Sequence, residues 1–346
     1  MRGSARYLFE LSLEHSDFPY NELAAVSERL GDKCTRTSKR ICIVESSRTG
    51  VEMKTYGETL AFCLKISSLH GEYSNWEELK RGVEDVASAA RGSTACVRVA
   101  SGDEKIRRRK PELERELGSI VSRYCTIRLD KPETEVRIVA EAGAFFLATK
   151  IMDVDRRAID SRHVKHRAFF SPVSLSPRYA RGLLNLCGVT REKRVLDPFC
   201  GTGGIVIEAV LLGADTAGSD IDPLMIEGTM KNLEQLGLAS GCELRCMDVG
   251  RIGEFGTFDA VVTDPPYGRS SFYNREDIGK LYMRYLIAAE RCLREGGTIG
   301  IVVPDIKLLP EIEGLEMRVH IAQRVHKSLV RNYVVLGRKA RGPKSS

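Results

Sequence analysis

One tryptophan in 346 residues, ten cysteines without a Cys-x-x-Cys pair, and no apolar run of membrane length set the first limits on this chain. The missing paired spacing removes the usual frame of a structural zinc site. With no export signal the thiols read as reduced. The longest wholly apolar stretch near the middle is AGAFFLA (Ala142–Ala148), while a bilayer span needs about 20 such residues. The opening residues, MRGSARYLFELSLEHSDF, set acids inside an apolar pattern, which does not fit a cleaved signal peptide. A cytoplasmic location is expected. Low-complexity tracts and internal repeats are missing too. What is there, 42% apolar and 29% charged residues, describes an ordinary soluble protein of about two or three domains.

A net charge of +6 does not by itself announce a polyanionic partner, but the basic residues are clustered. KIRRRK (Lys105–Lys110) is the densest run, DRRAIDSRHVKHR (Asp155–Arg167) the second, and GRKARGPKSS (Gly337–Ser346) the third. Any one is a solvated face in most proteins; three together favour a nucleic-acid partner. Lys105, Arg107, Arg108, Arg109 and Lys110 are the expected phosphate contacts. His163 and His166 lack a third ligand nearby and read as surface or RNA-facing residues, so no metal site is expected.

The two halves of the chain differ in rhythm. The first alternates short strand-like and helix-like segments without a glycine-rich phosphate turn, which suggests α+β layers used for binding. Residues 153–175 are charged and poorly periodic and read as a linker. From about residue 176, strand-like runs alternate with helices (KRVLD, DTAGSD, CELRCMD, FDAVVTD, TIGIVVP), the pattern of a parallel, doubly wound α/β sheet. Two closing strands, EMRVHIAQRV and NYVVLGR, follow without a long helix and are expected to form an antiparallel edge.

Carboxylates end the expected strands. Asp197 opens the glycine turn LDPFCGTGG, Asp220 stands 19 residues after Gly201, Asp248 ends the third strand and Asp264 the fourth. In open α/β sheets ligands sit outside the carboxyl ends of the strands. An acid at the turn would repel a pyrophosphate but hold an ammonium or a water. Four acids therefore fit a cationic cofactor with an adenosine and an amino-acid arm, S-adenosyl-L-methionine, better than a dinucleotide. Helix capping explains any one of them, but poorly explains all four.

Asp264-Pro265-Pro266-Tyr267 resembles the [DNS]-P-P-[YFW] motif of methyltransferases acting on exocyclic amino groups of bases. RAFFSPVSLSPRYARGLLNL before the first strand, TDPPYGRSS, and RVHKSLVRNYVVL near the end resemble the tRNA guanine-N2 dimethyltransferases that modify position 10. Glu116–Ile151 is similar to a THUMP domain, an RNA-binding module of tRNA-modifying enzymes. Ala168, where the family suggests Arg-Pro-Phe-Phe, is a departure. The resemblance implies a ferredoxin-like subdomain over 1–55, THUMP over 56–152, a linker over 153–175 and a Rossmann-like, seven-stranded methyltransferase domain over 176–346. It implies that Asp220 meets the cofactor's ribose and Asp248 the adenine amine. Asp197, Gly201 and Gly203 would face the methionine arm, Ile221 would wall the adenine, and Phe169 or Phe170 would close the pocket. Arg331 and His326 would meet phosphates.

Guanine N2 is a weak nucleophile because its lone pair is delocalised into the ring. Asp264 and the carbonyl of Pro265 can each accept one N–H, Pro266 stiffens that carbonyl, and Tyr267 would stack on the extruded base. Rival readings are a related enzyme acting on another tRNA or ribosomal guanine, an adenine-N6 DNA methyltransferase, a non-catalytic RNA-binding protein and a dehydrogenase. The sequence leaves open the number of methyls added, the oligomeric state and the need for an activating subunit.

Overall fold

The computed structural model describes residues 4–171, 174–267, 277–327 and 329–339, in two compact units, Met1–Asp155 and Arg156–Ser346. The extension Gly268–Ser271 and the tail from Ala340 lie outside the described residues.

In the first unit, alternating apolar residues make β1 (Ala5–Leu11), β3 (Ile41–Ser46) and β4 (Cys63–Tyr73), with a short β2 (Lys33–Arg36) at the margin. The Pro19-led helix α1 (Phe18–Arg29) connects β1 to β2. Helix α2 (Gly50–Thr59) was not expected; the signal lay in its capping box, in which Thr49 and Glu52 satisfy each other's backbone donors. Helices α3 (Trp76–Ala89) and α4 (Glu104–Val121) flank β5 (Thr94–Ser101), followed by β6 (Thr126–Ile127), β7 (Thr134–Glu141) and β8 (Ala144–Asp153). The run EVRIVAEAGAFFLATKI is two strands. Ala142 and Gly143 take φ of 53° and 81°, and Glu141 pairs with Ala144, so the chain reverses in a two-residue hairpin whose twist suits the flanking strands.

One mixed sheet, β2-β3-β1-β4-β8-β7-β5-β6, runs through the whole unit. The boundary expected at residue 55 is therefore corrected: it falls inside α2, and β1 pairs directly with β4. One face carries two apolar cores, around Phe9, Leu23, Val26 and Tyr56 and around Val83, Val97, Leu117 and Ile138. The other carries Leu8, Ile43, Val139 and Phe146. On that second face Arg137 makes a two-pronged pair with Glu10, one prong at 2.8 Å, and both side chains are buried.

In the second unit, α5 (Arg156–Asp160) and α6 (Pro177–Leu186) precede β9 (Arg194–Asp197), α7 (Gly204–Leu211), β10 (Asp215–Asp220), α8 (Pro223–Gln235), β11 (Cys242–Cys246) and β12 (Phe258–Thr263). Helix α9 (Ile278–Cys292), β13 (Leu293–Val303), β14 (Leu315–His326) and β15 (Leu329–Arg338) complete it. The sheet order is β11-β10-β9-β12-β13-β15-β14, parallel through β13. β12 and the second half of β13 read as apolar runs because both faces are covered, whereas β10 (DTAGSD) and β11 (CELRC) are short and more polar. Leu196, Val261, Ile299 and Ile301 face Tyr282, Tyr285 and Leu286 of α9. The two closing strands pair antiparallel at one end of the sheet, as expected; β15 is inserted between β13 and β14, so the strand antiparallel to the rest is interior and β14 is the edge.

The expected linker is also corrected from residue 156 onward. Arg162 pairs with the buried Glu208 at 2.7 and 2.9 Å, and Arg181 joins the same carboxylate at 2.9 Å. The backbone N–H of Phe169 donates to Asn232 at 2.8 Å, and Asn232 returns a bond to the Phe169 carbonyl. Lack of apolar period misled here, since this segment docks through arginines and backbone amides.

Glu10→Ala should destabilise the first unit by about 3 kcal/mol, because it leaves a buried guanidinium with only the 3.4 Å contact to Glu135. Glu10→Leu combined with Arg137→Met should recover most of that loss. The single tryptophan, Trp76, reports on this unit, so urea unfolding followed by its fluorescence measures both variants. An unchanged midpoint for Glu10→Ala would refute the assignment.

Candidate active site

Strands β10 and β9 run one way from the sheet's middle in sequence order, and β12 lies on the other side of β9. This reversal is where doubly wound sheets open a crevice. The turn after β9 fills it. Gly201 and Gly203 have φ of 51° and 80°, conformations that side chains resist. Thr229 of α8 donates to the Gly201 carbonyl at 2.7 Å, and Asn232 donates to that of Thr202 at 2.9 Å. A Cβ built on Gly203 would lie 2.9 Å from Thr229, whereas one on Gly201 would meet nothing nearer than the Phe199 carbonyl at 4.0 Å. The turn is thus packed on its α8 side and open at Gly201.

The four expected acids stand at successive strand ends in different states. Asp197 is buried; its Oδ1 accepts from Thr263 at 2.6 Å and from the Phe199 amide at 3.3 Å. Burial pushes its carboxyl up to about 7, with the Thr263 and Phe199 bonds opposing. Asp220 accepts the Gly201 amide at 3.0 Å and the Asp222 amide at 3.0 Å, and burial raises it as well. Beside it Ile221 is 40% exposed. Asp248 differs from expectation. It caps the short helix that follows, accepts the Gly250 amide at 2.8 Å and pairs with Arg284 of α9, which holds it below the usual carboxylate range. Both bonds fall on Oδ1, and the arginine is one that the sequence did not announce.

Acceptors for hydroxyls and an ammonium, an open glycine turn and an exposed isoleucine form a donor set that fits S-adenosyl-L-methionine. Phe169 and Phe170 separate here. The Phe169 ring lies where a Cβ on Gly228 would come within 2.1 Å, so it is packed on α8, while Phe170 is 64% exposed.

Asp264 follows β12 on the other side of β9. Its Oδ1 accepts the Tyr267 hydroxyl at 2.6 Å, and burial pushes its carboxyl up to about 6 against the opposing effects of Arg331 and Tyr267. Tyr282, wholly buried on α9, donates to the Pro266 carbonyl at 3.1 Å. Among the described residues no donor reaches the Pro265 carbonyl. Tyr282 was legible only as part of an apolar stripe; a buried tyrosine needs a partner for its hydroxyl, and that was the available signal. Thr263 was likewise missed although it adjoins the motif, and it ties the β12 loop to the acid of the glycine turn.

The residues expected at phosphates are dispersed. Lys105–Lys110 form the first turns of α4, where Arg108 pairs with Glu104 at 2.6 Å, Arg109 with Glu112 at 2.8 Å and Lys110 with Glu114 at 3.6 Å. All three pairs are exposed, Lys110 with Glu114 only partly so. His326 ends β14, His166 is exposed, and His163 keeps a buried Nδ1 without a hydrogen-bond partner. Arg331 is half-buried on β15, next to Asn332, which pairs with Val303 at the end of β13.

Among the described residues no helix is long and apolar enough to cross a membrane. A family profile described as UPF0020, RMKL-like, methyltransferase domain, matches residues 164–332. The tRNA (guanine(10)-N2)-dimethyltransferase of Methanothermobacter thermautotrophicus is 34% identical over 338 residues, 95% of this chain and 98% of the relative. The crystal structure of TrmN from Thermus thermophilus aligns with a TM-score of 0.57 and 20% identity over 96% of this chain and all of that one. A further solved structure, complexed with SAH, aligns with a TM-score of 0.52 and 14% identity over 99% of this chain and 100% of its own. With the acid-Pro-Pro-Tyr loop and the glycine turn on one sheet edge, and near-full-length identity to its relatives, this chain belongs to the tRNA (guanine(10)-N2)-dimethyltransferase family.

Proposed function

We propose that the enzyme methylates the exocyclic N2 of guanine 10 in tRNA, once and then again, at the loop Asp264–Tyr267. The observation that carries this reading is the placement of that loop across β9 from the glycine turn, joined to it by the Thr263–Asp197 bond. S-adenosyl-L-methionine, when bound, supplies a methyl group on a positively charged sulfur. Asp220 and Asp197 are the acceptors for its ribose hydroxyls and ammonium, and Ile221 is the apolar surface for its adenine. Asp248 serves the adenine amine through Oδ2, its Oδ1 being taken by Arg284 and the Gly250 amide. Phe170 is placed to cover the pocket.

At the base, Oδ1 of Asp264 is taken by Tyr267, so Oδ2 and the Pro265 carbonyl are the two acceptors for the N2 protons. Holding both N–H bonds turns the lone pair toward the methyl donor, and positioning supplies most of the acceleration. As nitrogen gains positive charge, the carboxylate of Asp264 takes the departing proton. The first methylation leaves one N–H for Asp264, which permits the second. Tyr267 keeps its hydroxyl on Asp264 while its ring offers a face to the extruded guanine.

The first unit supports recognition of the tRNA acceptor end by a THUMP-like domain through shape and backbone, with the target chosen by distance. Lys105, Arg107, Arg108, Arg109 and Lys110 on α4 are the candidate phosphate contacts. Their pairing with neighbouring acids would be exchanged for phosphates on binding.

Transfer of labelled methyl to unmodified tRNA transcripts, with the product nucleoside mapped, is expected to give N2,N2-dimethylguanosine at position 10. Methylguanosine elsewhere would remove the target, and no transfer with cofactor bound would remove the reading. Asp264→Asn should lower kcat by about 10²–10⁴-fold while tRNA affinity stays within about twofold. An acid pushed up to about 6 accepts a proton only when ionised, so the rate should fall as pH drops through about 6 and level off above it. A flat profile between pH 5 and 8 contradicts the proton-acceptor role. Neutralising the five basic residues of Lys105–Lys110 should weaken tRNA binding and flatten its dependence on salt; an unchanged slope of log Kd against log salt removes that patch.

A further inference from the structure

Helix α8 turns one stripe toward the segment that precedes α6. Gly228, Asn232 and Gln235 are spaced so that they share a helix face. Gly228 leaves room for the Phe169 ring, which a Cβ there would meet at 2.1 Å. Asn232 takes both backbone groups of Phe169, accepting its N–H at 2.8 Å and donating to its carbonyl at 2.8 Å. Gln235 repeats the grip on the residues just before. It accepts the Ala168 N–H at 2.7 Å and donates to the His166 carbonyl at 3.0 Å. The two carboxamides pair with residues 166–169 as a neighbouring strand would, and Phe170 is the next residue along.

Asn232 differs from Gln235 in two respects. It is wholly buried, whereas Gln235 is exposed. Its Nδ2 also donates to the Thr202 carbonyl at 2.9 Å, so one amide hydrogen is spent on the segment and the other on the glycine turn. The amide has one workable orientation, because the Phe169 N–H needs its oxygen and two carbonyls need its nitrogen. Thr229, on the same helix, holds the preceding carbonyl of the turn, that of Gly201, at 2.7 Å. From the segment side, Ser174 meets the Thr202 hydroxyl at 3.1 Å and Arg167 donates to it at 3.4 Å. Turn, segment and helix therefore converge on Thr202 and Asn232.

We infer that Asn232 is a positioning residue for S-adenosyl-L-methionine: through one amide nitrogen it fixes the glycine turn relative to the segment that delivers Phe170, the two elements assigned to the cofactor's methionine arm. This rests on the reading of that turn as the cofactor's. The side chain is particular to the task. A serine offers one hydrogen and an aspartate none, so neither can hold both carbonyls.

The test is calorimetric titration of the full-length protein, without tRNA, with S-adenosylhomocysteine and with methylthioadenosine, which lacks the amino-acid arm. Asn232→Asp keeps the size and the acceptor but loses both donors, and Asn232→Ser avoids a buried charge. Each should weaken S-adenosylhomocysteine by about tenfold or more, and methylthioadenosine by less than about threefold. Gln235→Ala leaves the turn untouched and should change neither by more than about threefold. The Kd for tRNA should stay within about twofold throughout, and cooperative thermal unfolding without ligand shows which variants are folded.

Unchanged S-adenosylhomocysteine affinity in a folded Asn232 variant overturns the inference. So does an equal loss of both ligands, which a general loosening of the unit would give, or a loss in Gln235→Ala as large as in the Asn232 variants. Asp220→Ala separates the two layers, since both ligands carry the ribose and both should weaken. If neither does, the assignment of the cofactor pocket fails; if both do while the Asn232 variants bind normally, only the role of Asn232 is removed.

Discussion

Four carboxylates end four neighbouring strands, Asp248, Asp220, Asp197 and Asp264, and the site depends on how the protein keeps like charges together, with Asp248 partly in water and the others largely out of it. Each is handled differently. Asp197 is driven toward its neutral form and given a threonine hydroxyl. Asp220 receives two backbone amides, and Asp248 receives an arginine. Asp264 faces an arginine and takes a tyrosine hydroxyl. Placing backbone donors and hydroxyls around an acid costs less than burying a full counter-charge beside every one. The outcome is a row of acids of graded readiness to accept protons, the more basic ones nearest the strand reversal. A pocket of this kind suits a cationic ligand and a reaction that releases a proton.

The parallel half was legible because both sides of each strand are buried, which makes strands apolar throughout and leaves glycine and acid at their ends as punctuation. β9 and β12 follow that pattern, whereas β10 (DTAGSD) shows only its small residues and its closing acid. Where contacts are polar the pattern gives nothing. Residues 156–171 hold to the second unit by Arg162 on Glu208 and by Phe169 and Asn232 exchanging bonds, none of which leaves an apolar period. The hairpin at Ala142-Gly143 hid because a single alanine in the left-handed region does not look like a turn.

In the site, the acids and glycines were readable by position, but their partners were not. Arg284 reaches Asp248 from 36 residues away, and Tyr282 reaches Pro266 from 16. Such pairings are set by where α9 lies on the sheet, and no local spacing encodes that.

Strand order carries a further consequence. β15 sits between β13 and β14, so the sheet is not filled in the order in which the chain is made. Until residues 329–338 have emerged, β13 has an open flank lined by Ile299, Ile301 and Val303, and β14 has no neighbour at all. A growing chain must hold that apolar edge without closing it on another copy, the hazard typical of unpaired strands. The strand that finally closes the gap also carries Tyr333 and Arg331. Maturation of the fold and arrival of the last strand beside the Asp264 loop are therefore one event, and a chain interrupted before it would hold a nearly complete glycine turn beside an unfinished sheet.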